Sequence, residues 1–154
     1  MTAPEELEFD EDDLTPVVAE MAALAGAAAG WINFLPAVEE GHELPPRNFI
    51  AAIFSSRGEA VPLSTWSAPA TPGGRATVGI KHGSGPKALA RLAEQELALP
   101  AGWVKVADHP RRGLVVTAPG GADHAEVLWW LLAAAHALSM PPLTGDWLAR
   151  IYRP

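Results

Sequence analysis

The chain has 154 residues, of which 49% are hydrophobic and 19% charged, with a net charge of −7 and no cysteine. This composition is typical of one globular domain and excludes an intrinsically disordered chain. The lack of cysteine excludes disulfide scaffolds, thiol catalysis and cysteine-ligated metal centres. The longest apolar run, Val127 to Ala135, is shorter than the roughly 18–20 residues that a membrane span needs.

The negative charge is concentrated at the N-terminal end. Eight of the 18 acidic residues lie within residues 1–20, where there is no Lys or Arg. Because like charges repel, we expect residues 1–14 to form a flexible acidic arm and residues 15–154 to form a single domain. The arm either keeps the protein in solution or docks on a basic surface, its own or a partner's. It argues against nucleic-acid binding, which requires clustered basic residues.

The first predicted elements are a helix and a strand. Thr15 and Pro16 indicate a helix start, with a hydroxyl cap followed by proline at the first position. Gly30 is placed to end this helix in a left-handed conformation. Residues 31–38 read as a strand, and Pro36 predicts that it lies at a sheet edge or leaves the sheet.

The middle of the chain predicts further strands. Residues 39–48 read as a polar loop. Residues 49–54 and 60–66 are rich in strand-forming residues and flank a short loop that contains glycine, which indicates a hairpin. Residues 75–81 form the next predicted strand.

The C-terminal half predicts two helices, a hairpin and a closing element. A helix is expected over residues 88–97 and a hairpin from residues 103–106 and 114–117. Asp123 and Glu126 have the spacing of a capping box, so a helix should begin there and run to about Leu138. The other predicted element is a short strand or helical turn over residues 147–152.

The order of these elements indicates the fold class. The connections are too short for parallel crossovers, so we expect a two-layer α+β domain with a mainly antiparallel sheet and about three helices on one face. The order of elements is similar to the secretion-chaperone-like fold, α-βββ-α-ββ-α, of type III secretion chaperones. The similarity covers most of the chain as element order only. A fourth candidate strand and the segment at residues 147–152 depart from it.

The first candidate site lies between a predicted strand and a helix start. Glycines there allow backbone N–H groups to face an anion, and a helix N-terminus adds positive potential. The spacing does not match the phosphate-binding loop of nucleotide-binding proteins. Two interpretations stay open: a plain turn capped by Ser84, or a phosphate or carboxylate site. The residues of the second interpretation are Lys81, His82, Gly83, Ser84, Gly85, Lys87 and Arg91.

The second set of candidates is an interaction surface. Arg111 and Arg112 lie at a predicted hairpin tip, which is either a solvated turn or a surface for an acidic peptide, the chain's own arm included. Trp129 and Trp130 are adjacent on a predicted helix and point about 100° apart, so one of them can reach a contact surface. Tryptophan is enriched at the centres of protein interfaces.

These patterns favour binding over catalysis. The serine-hydrolase motif is not met around Ser84 and no zinc-binding helix motif is present, so we predict no catalytic residue, metal or cofactor. We expect a non-enzymatic protein-interaction module, chaperone- or adaptor-like, cytoplasmic, homodimeric, without a membrane or nucleic-acid partner. The composition suggests a bacterial source. The alternative is a small-molecule-binding or transferase domain that uses residues 83–87 for a ligand bearing phosphate or carboxylate.

Overall fold

The computed structural model describes residues 3–41 and 60–154. The predicted α+β class is confirmed: within these residues, three helices accompany a seven-stranded antiparallel sheet. None of these helices is both long and apolar enough to cross a membrane. The elements are β1 (Glu5–Asp10), α1 (Thr15–Ala27), β2 (Trp31–Val38), β3 (Leu63–Ser67), β4 (Ala76–Lys81), α2 (Ala88–Glu94), β5 (Val104–His109), β6 (Gly113–Ala118), α3 (His124–Leu138) and β7 (Leu143–Tyr152).

The sheet has the strand order β1-β7-β2-β3-β4-β6-β5, and all neighbouring strands are antiparallel. Alternate residues of each strand are buried because successive side chains point to opposite faces. Ile32 of β2, for example, lies opposite Trp66 of β3 and Ile151 of β7, and all three are buried. This face packs against the helices in one continuous hydrophobic core.

The other face of the sheet, here called the open face, has a different composition. Trp31 and Tyr152 are opposite each other on β2 and β7, and their rings stack with centroids 4.9 Å apart. The hydroxyl of Thr65 donates a hydrogen bond of 2.7 Å to Oδ1 of Asn33. These four side chains are half-buried. The open face thus combines aromatic and polar groups.

The predicted solvated arm is corrected by the structure, because its central part is a strand. Residues 5–10 form β1, the edge strand that pairs with β7. Phe9 is buried opposite Trp147, and its ring meets Phe34 edge-on with centroids 6.1 Å apart. Burial of this ring offsets the repulsion between the acidic neighbours on the same strand.

Ion pairs also hold this segment. Arg150 of β7 lies 3.2 Å from the carboxylate of Glu6, and Arg153 lies 3.0 Å from that of Glu5. Arg153 contacts Glu20 of α1 as well. The acidic segment therefore docks on the chain's own basic residues, but on these arginines and not on the hairpin tip between β5 and β6.

Pro36 does not mark an edge strand, so that alternative is wrong, whereas the predicted exit fits the end of the β2–β3 pairing at Phe34. β2 lies inside the sheet, between β7 and β3. Pro36 pairs with Trp147, and the register with β7 shifts between Pro36 and Val38. Proline fits here because Pro36 has no partner on β3 and lies beside the irregularity in the pairing with β7.

The ends of α1 differ from the prediction. Thr15 is the first helical residue and not the cap; its N–H donates to Oδ1 of Asp13 at 3.1 Å. The left-handed residue after the helix is Ala28, with φ of 53°. Gly30 also has a positive φ, and a Cβ there would lie 2.6 Å from the carbonyl oxygen of Tyr152. Glycine is thus required for close approach to β7.

The C-terminal half follows the prediction more closely. Asp123 caps α3 and accepts a hydrogen bond from the N–H of Ala125, and the helix ends at Leu138 as expected. The closing element is a strand, the ten-residue β7. β1 and β7 have no counterparts in the secretion-chaperone-like order. The strand predicted over residues 49–54 and most of the loop before it lie outside the described residues.

Candidate functional site

The loop after β4 surrounds a buried histidine. His82 is fully buried, and its Nδ1 accepts the N–H of Ser84 at 3.3 Å and lies 2.8 Å from the Ser84 hydroxyl oxygen. Burial lowers the pKa of His82 below 6.5, the nearby Arg91 lowers it further, and Asp108 opposes this shift. Burial thus favours the neutral ring, which orders the loop from inside.

Arg91 braces the same loop from α2. Its guanidinium donates to the Ser84 hydroxyl oxygen at 3.1 Å and to the carbonyl oxygens of Gly85 at 3.0 Å and Pro86 at 3.2 Å. Ser84 consequently does not cap the helix. The structure thus brings His82, Ser84 and Arg91 together as parts of one hydrogen-bonded turn.

The N-terminus of α2 is occupied by a carboxylate of the chain. Asp108 of β5 accepts the N–H of Ala88 at 3.1 Å and the N–H of Leu89 at 3.0 Å, one with each oxygen. The predicted site relied on this helix end for positive potential, next to the N–H groups of the glycine loop. Lys81 and Lys87 are exposed beside it. Ligand binding at this loop stays a prediction, and an anion at the N-terminus of α2 itself would have to replace Asp108.

The two arginines of the predicted interaction surface lie at the β5–β6 turn. Arg111 and Arg112 are exposed, and both backbone N–H groups donate to Nδ1 of His109 at 3.1 Å. The histidine fixes the backbone of the turn and leaves the arginine side chains in solvent. The turn joins the two strands farthest from β1 in the sheet.

The two adjacent tryptophans of α3 have opposite environments. Trp130 is buried, donates its indole N–H to the carbonyl oxygen of Leu97 at 3.3 Å and packs 5.2 Å from the ring of Trp103. Trp129 is 59% exposed and is the exposed one among the six tryptophans. The structure therefore places Trp130 in the core and Trp129 on the surface.

Trp129 borders a concave surface between α3 and the segment that enters α1. The cavity has a volume of about 360 Å³. We call it the Trp129 groove; it is lined by Glu11, Leu14, Trp129, Leu132, Ala133 and His136.

One wall of the groove is held by a carboxylate with two donors. Glu11 lies 2.6 Å from Nε2 of His136 and accepts the indole N–H of Trp147 at 2.8 Å. The rings of His136 and Trp147 meet edge-on with centroids 6.1 Å apart. The chain after β1 is thereby fixed to α3 and β7, so the groove is formed in the absence of a partner.

Two further cavities lie near the groove and are connected with it through shared lining residues. One, of about 360 Å³, lies at the turn between β1 and α1 and shares Glu11 and His136 with the groove. The other, of about 640 Å³, lies at the sheet and shares Asp10 and Asp146 with the turn cavity. Within the described residues, no Lys or Arg lines any of the three.

Four carboxylates along this path form what we call the acidic surface: Glu8, Asp10, Asp12 and Asp146. All four are exposed. Asp10 and Asp146 are directly opposite on β1 and β7, a like-charge pair that weakens the strand pairing. The acidic surface therefore carries a local excess of negative charge.

The Ser84 hydroxyl has His82 and Arg91 as its side-chain partners. Asp108, His109 and His136 are each engaged elsewhere and do not meet Ser84 as a triad. In the described part of the chain, no three His, Asp or Glu side chains are placed to hold a metal ion.

Sequence reasoning identified Trp129 but not its surroundings. Leu14 and Glu11 lie more than a hundred residues before it, and no local pattern signals that they form one groove. No protein-family model matches the sequence, and comparisons with curated proteins and with solved structures likewise give no significant match.

Proposed function

We propose that the chain is a protein-interaction module that binds a partner at the Trp129 groove. The observation that carries this proposal is the 59% exposure of Trp129 beside Leu14 and Leu132, while the other tryptophans are buried or half-buried. A tryptophan at a concave surface is the side chain most enriched at binding hot spots. The proposal includes the chaperone- or adaptor-like role expected from the sequence.

The rigidity of the groove supports this role. The contacts of Glu11 with His136 and Trp147 hold both sides of the groove in place. A preformed surface loses little conformational entropy when a partner binds, so more of the contact energy appears as affinity.

The alternative, a domain that binds a phosphate-bearing ligand at residues 83–87, has less support. The N–H groups of Ala88 and Leu89 already bind Asp108, and Arg91 is turned to the loop carbonyls. A phosphate would gain these donors only by leaving Asp108 without partners, which costs about as much as the new contacts supply.

A peptide selection tests the proposed function without knowledge of the partner. Random peptides displayed on phage are selected on the immobilised protein, and the enriched peptides are measured against Trp129→Ala and Val106→Ala. Val106 on β5 is also 59% exposed, so it is a matched control for the loss of an exposed apolar side chain. We expect Trp129→Ala to weaken binding at least about tenfold and Val106→Ala to leave it unchanged.

Two results contradict the proposal. One is a selection that enriches no peptide above a blank surface. The other is a set of peptides that bind Trp129→Ala as tightly as the wild type, which would place the binding surface elsewhere.

The expected homodimer is a separate prediction. The acidic surface next to the groove disfavours pairing of two grooves across a twofold axis, because like charges would face each other. A dimer would therefore use another surface and leave Trp129 exposed. Light scattering at high concentration gives the mass, and a monomer would contradict the dimer without affecting the groove.

A further inference from the structure

We infer that the partner of the Trp129 groove is a basic protein segment, with an apolar side chain in the groove and Lys or Arg residues on the acidic surface. This inference rests on the proposed function and adds the chemical class of the partner. It is carried by the lining residues that connect the apolar groove with carboxylates for which the described residues supply no cation.

The charge pairing within the chain is unequal along its acidic N-terminal segment. Glu5, Glu6 and Glu20 are paired with Arg150 and Arg153 near the start of the β1–β7 ladder. No cation of the described residues pairs with the four carboxylates of the acidic surface at the other end of that ladder. Among the described residues, the ion pairs thus neutralise the carboxylates at one end of the ladder and leave those at the other end without a cation.

The groove and the acidic surface are connected through shared lining residues. Glu11 belongs to the groove and to the turn cavity, and Asp10 and Asp146 belong to the turn cavity and to the sheet cavity. Asp10 and Asp146 lie on the open face of the sheet, so a segment anchored beside Trp129 reaches them by passing round the turn between β1 and α1. An arginine placed there would convert their mutual repulsion into two charge-assisted hydrogen bonds.

The sheet cavity adds apolar surface next to the charges. Its lining includes the half-buried Leu35 and Leu148, with Glu8 on the neighbouring strand opposite Leu148. Long basic side chains suit such a surface, because their methylene stems cover apolar groups while the charged end reaches a carboxylate.

Other occupants fit the surface less well. Nucleic acids and anionic membranes carry the same sign of charge as the acidic surface and are repelled by it. A second copy of the chain, paired groove to groove across a twofold axis, would bring the same carboxylates against each other. A basic protein segment is the occupant that supplies both apolar contact and positive charge.

Three synthetic peptides of equal length test the inference. They alternate leucine with arginine, with glutamine or with glutamate, and their binding is measured by fluorescence anisotropy at low and at physiological salt. We expect the arginine peptide to bind about tenfold more tightly than the glutamine peptide at low salt, and the glutamate peptide not to bind. Added salt should reduce the advantage of the arginine peptide.

Variants separate the charge from the groove. The double variant Asp10→Asn/Asp146→Asn should remove most of the advantage of the arginine peptide and leave binding of the glutamine peptide unchanged. Trp129→Ala should weaken both peptides. Glu94→Gln/Glu96→Gln is the matched control, because it removes two exposed carboxylates at and just after the end of α2, outside the three cavities.

Each contrary result points to a different failure. Equal affinity for the arginine and glutamine peptides, or an equal loss in the Glu94/Glu96 control, overturns the basic partner and leaves the proposed function standing. Peptide binding that is unaffected by Trp129→Ala overturns the proposed function itself. If none of the three peptides binds, the basic partner is overturned, and the phage selection decides the function independently.

Discussion

The two ends of the sheet use the same side chain in opposite ways. At the β5 end, Asp108 lies opposite Leu114 on the helix-covered face, and both its oxygens accept N–H groups of α2. At the β1 end, Asp10 and Asp146 lie opposite each other, exposed and without a cation among the described residues. The face on which a carboxylate lies thus decides whether it stabilises the chain or stays available to a partner.

The two edge strands are also protected differently. β5 has a register shift between Lys105 and Ala107, and a bulge of this kind discourages pairing with another chain. β1 pairs regularly with β7 along its whole length and is protected by charge. At the β1 end, substitution of Phe9 should therefore change the stability of the fold. Substitution of the carboxylates of the acidic surface should instead change the proposed binding, so the two effects can be measured separately.

The largest effect on stability is expected from Phe9→Ala. Phe9 is buried against Phe34, so its removal leaves a cavity and should lower the free energy of unfolding by about 3–5 kcal/mol. Denaturant unfolding measures it, with Val106→Ala at the β5 end as a control expected to stay within about 0.5 kcal/mol. A loss below about 1 kcal/mol for Phe9→Ala would show that β1 contributes little to the fold.

The next comparison places one substitution at both ends. Asp108→Asn turns an amide NH₂ toward one of the α2 N–H groups and should cost about 1–2 kcal/mol. Asp146→Asn removes a like-charge pair and should stabilise the fold by a few tenths of a kcal/mol. Urea midpoints measured in parallel check both signs. Equal effects of the two substitutions would refute the contrast between the ends.

The ends should also lose stability in different pH windows. Burial lowers the pKa of His82 in the folded chain, so the unfolded chain binds a proton at His82 more readily than the folded chain does. The contribution of His82 to stability is therefore fully present above pH 6.5 and is lost as the pH falls below that value. Hydrogen bonding to Arg153 lowers the pKa of Glu5, so its contribution is present above pH 4.5 and is lost below it.

Unfolding measured from pH 8 to pH 3 tests this separation. His82→Phe should reduce the dependence on pH near and below 6.5, and Glu5→Gln should reduce it below 4.5. Each variant serves as the control for the other. A wild-type profile that His82→Phe leaves unchanged would show that the buried ring is protonated as easily in the folded chain as in the unfolded one.

The smallest effect is expected for Arg150→Gln. Its ion pair with Glu6 is exposed, with side-chain accessibilities of 42% and 55%, so breaking it should cost no more than about 0.5 kcal/mol. The difference from the wild type should vanish in high salt. A larger loss that persists in salt would mean that Arg150 stabilises β7 by packing.

Local signals made some of the structure predictable. The cap residue Asp123 predicted the start of α3 correctly, because its hydrogen bond with Ala125 spans only two residues. The angle between neighbouring helical side chains predicted that Trp129 and Trp130 face different surroundings. Which of the two is exposed depends on Leu97 and Trp103, and no local pattern reports their approach to Trp130.

The structural features that the sequence did not predict depend on contacts between distant parts of the chain. The charge of residues 1–14 favoured an arm, while the alternation of Leu7 and Phe9 with acids already had the period of a half-buried strand. What decides between them is pairing with β7, which lies at the other end of the sequence. Asp108 similarly caps a helix 19 and 20 residues before it, a partner that its place near a hairpin tip did not indicate.

The pairing of β1 with β7 has a consequence for synthesis of the chain. Glu11 and Trp147 are separated by 136 residues, which a ribosome adds in about 7–27 s at roughly 5–20 residues per second. During that time both β1 and β2 lack the strand that lies between them in the sheet. The sheet can close only after β7 emerges, so the nascent chain holds the apolar side of β1 and one side of β2 unpaired until then. The time before closure is the stage at which misassembly with other chains is most favoured.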